Sequence, residues 1–208
     1  MKQFKGWALG ALIILGASAQ AIQFDLGVVY TGATPGGTPP YITVKIVDVG
    51  TNKVNLRVDH NSGSSAGQFV SNVYLNLSPF FSSFAISNEI NANKRNGGFS
   101  LSNNGVNGAA SNTFDMGIGF VTSNSSGGVN RLRPGEFWSA DLTATGLSAA
   151  AFNAVNNQNR YAGAHVQGIN GNNSGHVASM TPVPEPATMS ALALGVLAMI
   201  RKRRSTQV

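Results

Sequence analysis

Apolar and polar residues alternate along most of the middle of the chain, and this alternation restricts the fold more than any other feature of the sequence. It is typical of β-strands, because successive side chains point to opposite faces, so that one face packs in a core and the other meets water. Val54, Leu56 and Val58, for example, alternate with Asn55 and Arg57. Such runs predict strands at residues 22–30, 42–46, 54–58, 69–77, 114–120, 138–143, 161–168 and 176–179.

The segments between these runs are rich in turn-forming residues. Asn-Gly pairs, which tolerate the positive φ of tight turns, begin at residues 96, 104, 107 and 170. The Ala-rich stretch at residues 147–155 predicts one or two helical turns with Ser148 as N-cap. Between residues 87 and 112 apolar residues are sparse, so a long surface loop and two weak strands are equally good predictions.

About eight short strands joined by turns predict an all-β fold, either a β-sandwich or a jelly roll. Residues 22–181 have a length suited to one such domain and contain no Pro-rich or charged linker. The chain has no cysteine. If the protein is exported, its stability must therefore come from the core, bound ions or assembly rather than from disulfides.

The first 21 residues have the three parts of a secretory signal peptide. Lys2 and Lys5 supply a positive region, residues 7–15 an apolar region, and Ala17-Ser18-Ala19 a small-residue cleavage site for signal peptidase. Cleavage after Ala21 is the alternative. A permanent membrane helix would need about twenty apolar residues, more than this stretch offers.

Residues 182–208 combine a stiff Pro-Glu-Pro motif, an apolar helix predicted at residues 187–200 and a basic cluster. The motif comprises Val183, Pro184, Glu185, Pro186, Ala187 and Thr188, and the cluster comprises Arg201, Lys202, Arg203 and Arg204. In this order they resemble a PEP-CTERM sorting signal. The resemblance implies recognition by an exosortase, an integral-membrane enzyme similar to cysteine transpeptidases. It also implies cleavage near the motif and delivery to the surface or exopolysaccharide matrix of a bacterium with an outer membrane.

The apolar part of this tail is short for a membrane span. Residues 187–200 would reach about 21 Å as a helix, compared with a hydrocarbon core of about 30 Å. Local thinning of the bilayer and snorkelling arginines would be needed during transient insertion into the inner membrane, with the basic cluster on the cytoplasmic side. A permanent tail anchor that is never processed is the alternative.

The positive charge of the chain belongs mainly to its two ends. The full sequence has a formal net charge of +6. Without the two N-terminal lysines, the basic cluster and Glu185, the middle keeps eight basic and seven acidic residues. A middle segment near +1 lacks the basic stripe that neutralises phosphates, so the sequence argues against binding to nucleic acid.

The middle also resembles, at low specificity, uncharacterised ectodomains that occur with this sorting signal. The resemblance is carried by residues 69–77, 133–137 and 164–169 and by the pair Ser174-Gly175. Such ectodomains commonly place an aromatic residue after that pair, where this chain has His176. Because their own function is unassigned, the resemblance implies no reaction.

No catalytic residue is predicted. The chain has no cysteine nucleophile and no Gly-x-Ser-x-Gly motif, and Ser139 lies beside Asp141 with no histidine nearby in sequence. A glycosidase needs two facing carboxylates, and nothing in the pattern selects a pair. The acidic candidates in the middle are Asp25, Asp48, Asp59, Glu89, Asp115, Glu136 and Asp141.

No metal site is predicted either. His60, His165 and His176, with Asp59, are the candidate ligands for zinc, but no two histidines have the short spacing of zinc sites. Calcium is a weaker candidate, at Asp115 and the Asn-rich segment 103–112, because these supply oxygen atoms without an EF-hand pattern.

Glycan binding is the most specific hypothesis for the middle. Sugar rings stack on aromatic side chains, and amide groups bond their hydroxyls. The candidates are Tyr74, Asn72, Asn76, Trp138, His165 and Gln167. Core packing is the alternative for each ring, and it is favoured for Trp138, which alternates with apolar Ala140 and Leu142.

Together these patterns predict an exported, non-catalytic protein of the cell surface or exopolysaccharide matrix. Signal peptidase and exosortase are its expected partners during export, and exopolysaccharide is the candidate partner afterwards. Two alternatives stay open: a hydrolase of matrix polysaccharide, and an adhesin that binds other proteins through exposed edge strands.

Overall fold

The computed structural model describes residues 20–184, which form twelve strands and three short 3₁₀ turns. Residues 1–19 of the predicted signal peptide and the whole of the predicted sorting helix, residues 187–200, lie outside the described residues. The strands are β1 (Ala21–Leu26), β2 (Val28–Gly32), β3 (Ile42–Gly50), β4 (Lys53–His60), β5 (Phe69–Leu75), β6 (Ala85–Ile90), β7 (Arg95–Asn107), β8 (Thr113–Phe120), β9 (Phe137–Thr143), β10 (Ala162–Ile169), β11 (Asn173–Ser179) and β12 (Pro182–Pro184).

The strands form two antiparallel sheets of six strands each. Sheet 1 has the order β12-β1-β3-β4-β9-β6, and sheet 2 the order β2-β11-β10-β5-β8-β7. Their facing sides are lined by alternate residues such as Leu56 and Val58 of β4 and Val73 and Leu75 of β5, all fully buried. The arrangement confirms the prediction of an all-β sandwich.

The first predicted strand, at residues 22–30, is divided between the two sheets. β1 pairs with β3 in sheet 1, whereas β2 pairs with β11 in sheet 2. The change occurs at Gly27, where a Cβ atom would lie 3.0 Å from the Cβ atom of Pro39. A residue without a side chain therefore allows the chain to cross from one sheet to the other beside Pro39.

For residues 87–112, the sequence predicted a surface loop and two weak strands equally well. The structure has strands here: most of β6 and all of β7 lie in this segment. β6 pairs with β9 and β7 with β8, each at the edge of its sheet. Most of their side chains are exposed, while Phe99 and Leu101 pack against the core. An edge strand that buries so few side chains needs few apolar residues, which explains the weak sequence pattern.

The helical segment is shorter than predicted and is capped differently. A single 3₁₀ turn spans Ala149–Phe152, and the Ser148 side chain makes no capping bond. Instead the Asp48 carboxylate accepts a hydrogen bond of 2.7 Å from the backbone N–H of Ala149. Phe152 is fully buried, so the turn closes one end of the sandwich.

Sheet 1 continues three residues beyond the predicted domain boundary at residue 181. β12 pairs with β1, placing Pro184 opposite Ile22 and Pro182 opposite Phe24. Two prolines suit an edge strand, because they lack the N–H group that a further strand would bond. The start and the end of the described chain therefore lie side by side at one edge.

Candidate functional site

Four of the six predicted glycan-binding residues lie together on the solvent-facing side of sheet 2. Asn72 and Tyr74 come from β5, and His165 and Gln167 from β10. In the register of the sheet, His165 is opposite Asn72 on one side and opposite His176 of β11 on the other. The alternation predicted this face, since the residues between them, such as Val73 and Val166, are in the core.

Five rings form a continuous strip across this face: Tyr30, His176, His165, Tyr74 and Phe114. The rings of His165 and His176 are stacked, with centroids 4.1 Å apart and planes within 2°. Tyr30 lies 5.7 Å and Tyr74 6.5 Å from His176, and Phe114 lies 5.4 Å from Tyr74. We call these five residues the ring strip. Its histidines are half-buried, whereas Tyr74 is only 7% exposed and Phe114 is fully buried, so the histidine pair offers more accessible ring surface than these two rings.

A glycine and a backbone carbonyl group fix the positions of Tyr30 and Phe114. A Cβ atom on Gly163 would lie 3.1 Å from Cζ of Phe114 and 3.4 Å from the Tyr30 hydroxyl, so both side chains pack beside a residue with no side chain. The Tyr30 hydroxyl donates a 2.6 Å hydrogen bond to the carbonyl oxygen of Gly108. The guanidinium carbon of Arg160 lies 4.5 Å from the Tyr30 centroid, which gives a cation–π contact.

Burial keeps the polar groups of the ring strip uncharged. It lowers the pKa of His176 to about 4, with a smaller contribution from His165, and it also lowers the pKa of His165. Burial raises the pKa of the Tyr74 hydroxyl above its usual value. The strip is therefore a neutral aromatic surface at pH 7.

One buried atom on this face lacks a hydrogen-bond partner. The Nδ1 atom of His165 lies 2.8 Å from the Ser71 hydroxyl, whereas its Nε2 atom is buried with no partner in the part of the chain that the structure describes. Such an atom can bond a ligand or a water molecule, and leaving it unpaired is costly.

The other two predicted glycan-binding residues are enclosed elsewhere. Trp138 is fully buried between the sheets and donates a 2.8 Å hydrogen bond from Nε1 to Glu89. Asn76 is 1% exposed and donates to the carbonyl oxygens of Arg160 and Tyr161, at 2.8 and 2.9 Å. Neither side chain meets solvent on the face that carries the ring strip.

One cavity adjoins the Gln167 end of this face, and a second cavity shares Arg131 with it. The first, of about 430 Å³, is lined mainly by polar groups that include Gln167, Asn173 and Ser174. The second, of about 570 Å³, is lined by Ser62, Ser64, Gly67, Arg131, Arg133 and Pro134. Sequence reasoning missed Tyr30 and Arg131 as parts of this surface, because both come from segments far from β5 and β10 in the chain.

The candidate metal ligands are mostly engaged with the protein itself. His60 is 1% exposed, and its Nδ1 atom lies 3.0 Å from the Leu132 carbonyl oxygen. The Asp115 carboxylate accepts hydrogen bonds from the backbone N–H groups of Leu77 and Asn104. Within residues 20–184, no group of three or more His, Asp or Glu side chains is arranged to hold a metal ion.

Two carboxylates of the hydrolase alternative line a cavity of about 350 Å³ beside sheet 1. Each has a cationic partner: Asp59 is bonded by Arg57 at 2.6 Å, and Glu136 by Lys94 at 2.7 Å. Both carboxylates are therefore engaged in ion pairs within the domain.

Comparison with known protein families gives one match, at the end of the chain. Residues 182–204 match the model of the PEP-CTERM protein-sorting motif. The chain thus carries a sorting motif of exported proteins that exosortases process, as the sequence pattern predicted. The match begins at β12, so its first residues are part of sheet 1.

Neither characterised proteins nor solved structures give a match to the chain. In residues 20–184, no helix has the length and apolar character that crossing a membrane would require.

Proposed function

We propose that this protein is a non-catalytic component of the cell surface or exopolysaccharide matrix that binds glycan on the outer face of sheet 2. The ring strip, flanked by the amides of Asn72 and Gln167, is the observation that carries the proposal. Export through a PEP-CTERM motif supports the location, because it sends the domain to where exopolysaccharide is found.

The chemistry of the face suits a sugar. The C–H faces of pyranose rings pack on aromatic rings, and the half-buried histidines supply accessible neutral ring surface. The amides of Asn72 and Gln167 can donate to and accept from hydroxyl groups on either side of it.

The proposal also includes three steps during export. Signal peptidase removes residues 1–19, or alternatively 1–21, the tail enters the inner membrane transiently, and an exosortase cleaves near the Pro-Glu-Pro motif. An intact mass of the protein recovered from its host tests this order. Loss of residues 201–208 is the expected result, and their retention would identify a permanent anchor instead.

Binding is tested by co-sedimentation of the chain from Gln20 to Pro184, which contains every described strand, with purified exopolysaccharide of the host. Saturable retention is expected, both with and without calcium. His176→Ala should weaken retention by about two- to tenfold, because it removes one stacking surface. Trp138→Phe is the matched control: it changes a ring that lies in the core and should leave retention unchanged.

Other outcomes would favour the alternatives. Shortening of the polysaccharide would point to a hydrolase, with Asp59 and Glu136 as the first residues to replace. Absence of retention would reject glycan binding.

Self-association is a second candidate function, favoured by the edge strand β6. Ile86 and Ile90 on this strand are 37% and 52% exposed. An exposed edge with apolar side chains can pair with another chain. Sedimentation velocity over a range of concentrations tests this function: oligomers that Ile86→Lys and Ile90→Lys abolish would support an adhesin.

A further inference from the structure

Arg131 and Arg133 form a pair of cations on the segment before β9. Leu132, between them, is fully buried and forms an antiparallel bridge with Val70. In extended backbone, residues on either side of an inward-facing residue point away from the core together. A Cβ atom on Gly128 would lie 3.0–3.2 Å from Arg131 Cδ and Nε and from Arg133 Nη2, so both side chains reach the same glycine.

Neither guanidinium group has a carboxylate partner within residues 20–184. The described ion pairs join Lys53 to Asp141, Arg57 to Asp59, Lys94 to Glu136 and Arg95 to Glu89. Glu136, the acid nearest in sequence, accepts hydrogen bonds from the Lys94 ammonium group and from the backbone N–H of Arg133. Glu136 thus neutralises Lys94, while the side chains of Arg131 and Arg133 keep two positive charges with no carboxylate partner among the described residues.

Both arginines are held in place without being neutralised. Arg131 donates from Nε and Nη2 to the carbonyl oxygen of Thr122, at 3.0 and 2.7 Å, and its guanidinium carbon lies 4.0 Å from the Phe69 centroid. Arg133 donates to the carbonyl oxygen of Gly127. Neutral acceptors fix the direction of the side chains while their charges stay available to an anion.

The two cavities beside the pair are lined by hydrogen-bonding groups and, among the described residues, by no acidic side chain. The 430 Å³ cavity places Gln167, Asn173 and Ser174 beside Arg131, and the 570 Å³ cavity places Ser62 and Ser64 beside both arginines. Gln167 also belongs to the face that carries the ring strip. A glycan chain lying along this face would reach Arg131.

We propose that Arg131 and Arg133 bind the carboxylate of a uronic acid residue in an acidic exopolysaccharide. This inference rests on the proposed glycan-binding function and adds to it the class of sugar. A planar guanidinium group matches a carboxylate in a bidentate fork, and the amides and hydroxyls of the two cavities match the remaining hydroxyl groups of such a sugar. Two cations on a domain with a net charge near +1 are too few to bind along a nucleic-acid backbone.

The test compares oligogalacturonate with a neutral dextran oligomer of the same length, by isothermal titration calorimetry on the chain from Gln20 to Pro184. Oligogalacturonate is expected to bind at least tenfold more tightly than dextran, and less tightly as the salt concentration rises. The Nε–Hε signals of the two arginines in NMR spectra should shift on titration with oligogalacturonate.

Variants distinguish the effect of the two arginines on binding from the effect of overall charge. Arg131→Gln with Arg133→Gln should remove the preference for oligogalacturonate, whereas Lys45→Gln with Lys53→Gln removes the same charge from sheet 1 and should keep it. Because Arg131 also contacts Phe69 and Thr122, a double Arg→Lys variant, which keeps the charge, guards against misfolding. It should bind more weakly than wild type and more tightly than the glutamine variant.

Each remaining outcome decides one of the two proposals. Retention on host exopolysaccharide combined with equal affinity for both oligomers would overturn the acid preference and keep the proposed function. The same applies if the folded glutamine variant binds oligogalacturonate as wild type does. Tight binding of oligogalacturonate without retention on host exopolysaccharide would keep the arginine site and reject the proposed function.

Discussion

Asn76 shows how one buried amide organises the backbone around it. Its Nδ2 group donates to the carbonyl oxygens of Ala154, Arg160 and Tyr161. Replacing it with alanine would remove this donor, although the Arg160 carbonyl oxygen would keep its hydrogen bond from the backbone N–H of Asn156. We expect Asn76→Ala to lower the free energy of unfolding by about 1–3 kcal/mol, measured by urea denaturation. Glycan retention should not change once the variant is folded, and a loss of retention at unchanged stability would contradict this structural role.

Histidine burial makes stability depend on pH. Burial lowers the pKa of His60 and of His176 to about 4, from an ordinary value of 6.5. The unfolded chain therefore binds protons that the folded chain does not, and the stability present above about pH 6.5 is lost as the pH falls toward 4. The urea midpoint should be constant from pH 8 to 7 and fall steadily from pH 6.5 to 4.5.

The same prediction has an internal control at the surface. His176→Gln removes one of the titrating rings and should reduce the slope of stability against pH below pH 6.5. The lowered pKa values of Glu89 and Asp141 act at lower pH, below about 4.5, so they should not mask this change. An unchanged slope would show that His176 does not titrate with unfolding.

At the residue scale, much of the candidate site could be predicted from sequence. Strand alternation placed Asn72, Tyr74, His165 and Gln167 on one face because the period of a strand is local. Alternation could not show that Asn76 is buried. This residue continues the same pattern beyond the end of β5, but segment 153–161 covers it. The arginine pair depends on contacts between distant loops, which no local pattern encodes.

At the scale of elements, the close approach of β2 to β11 depends on glycine. A Cβ atom on Gly175 would overlap the carbonyl oxygen of Ala33, and the backbone N–H of Ala33 donates to Ser174 at 2.9 Å. Gly175→Ala should push β2 away from sheet 2 and cost about 1–3 kcal/mol of unfolding free energy. Gly98→Ala is the matched control, because a Cβ atom there meets nothing within 4 Å.

Thermal and urea denaturation of the two alanine variants would decide this point. The control should lie within about 0.5 kcal/mol of wild type. Equal stability of both variants would mean that β2 accommodates a methyl group by moving at no cost.

The elements differ in how far sequence predicts them. Strands of the sheet interior, such as β3 and β4, bury one whole face and therefore show clear alternation. The edge strands β6 and β7 bury little and carry a weak pattern. The division of the first strand at Gly27 depends on packing against Pro39, a tertiary contact that neither residue reveals in sequence.

At the scale of the whole molecule, β12 should contribute little to stability. It adds three residue pairs at one edge, and two of its residues are prolines that donate no hydrogen bond. The chain from Gln20 to Thr181 should fold like the chain from Gln20 to Pro184, with a loss of about 1 kcal/mol. Comparison of their urea midpoints checks this, and failure of the shorter chain to fold would show that β12 is essential.

The pairing of Ile22 with Pro184 also determines how the domain would respond to mechanical force. A pull on the chain beyond Pro184, directed away from the sheet edge, loads this outermost pair first and the pair at Phe24 last. Bonds loaded one after another yield at lower force than bonds loaded together. β12 would therefore peel away before any interior strand bears tension, lengthening the chain between the domain and the point of pull by three residues while sheet 2 stays folded.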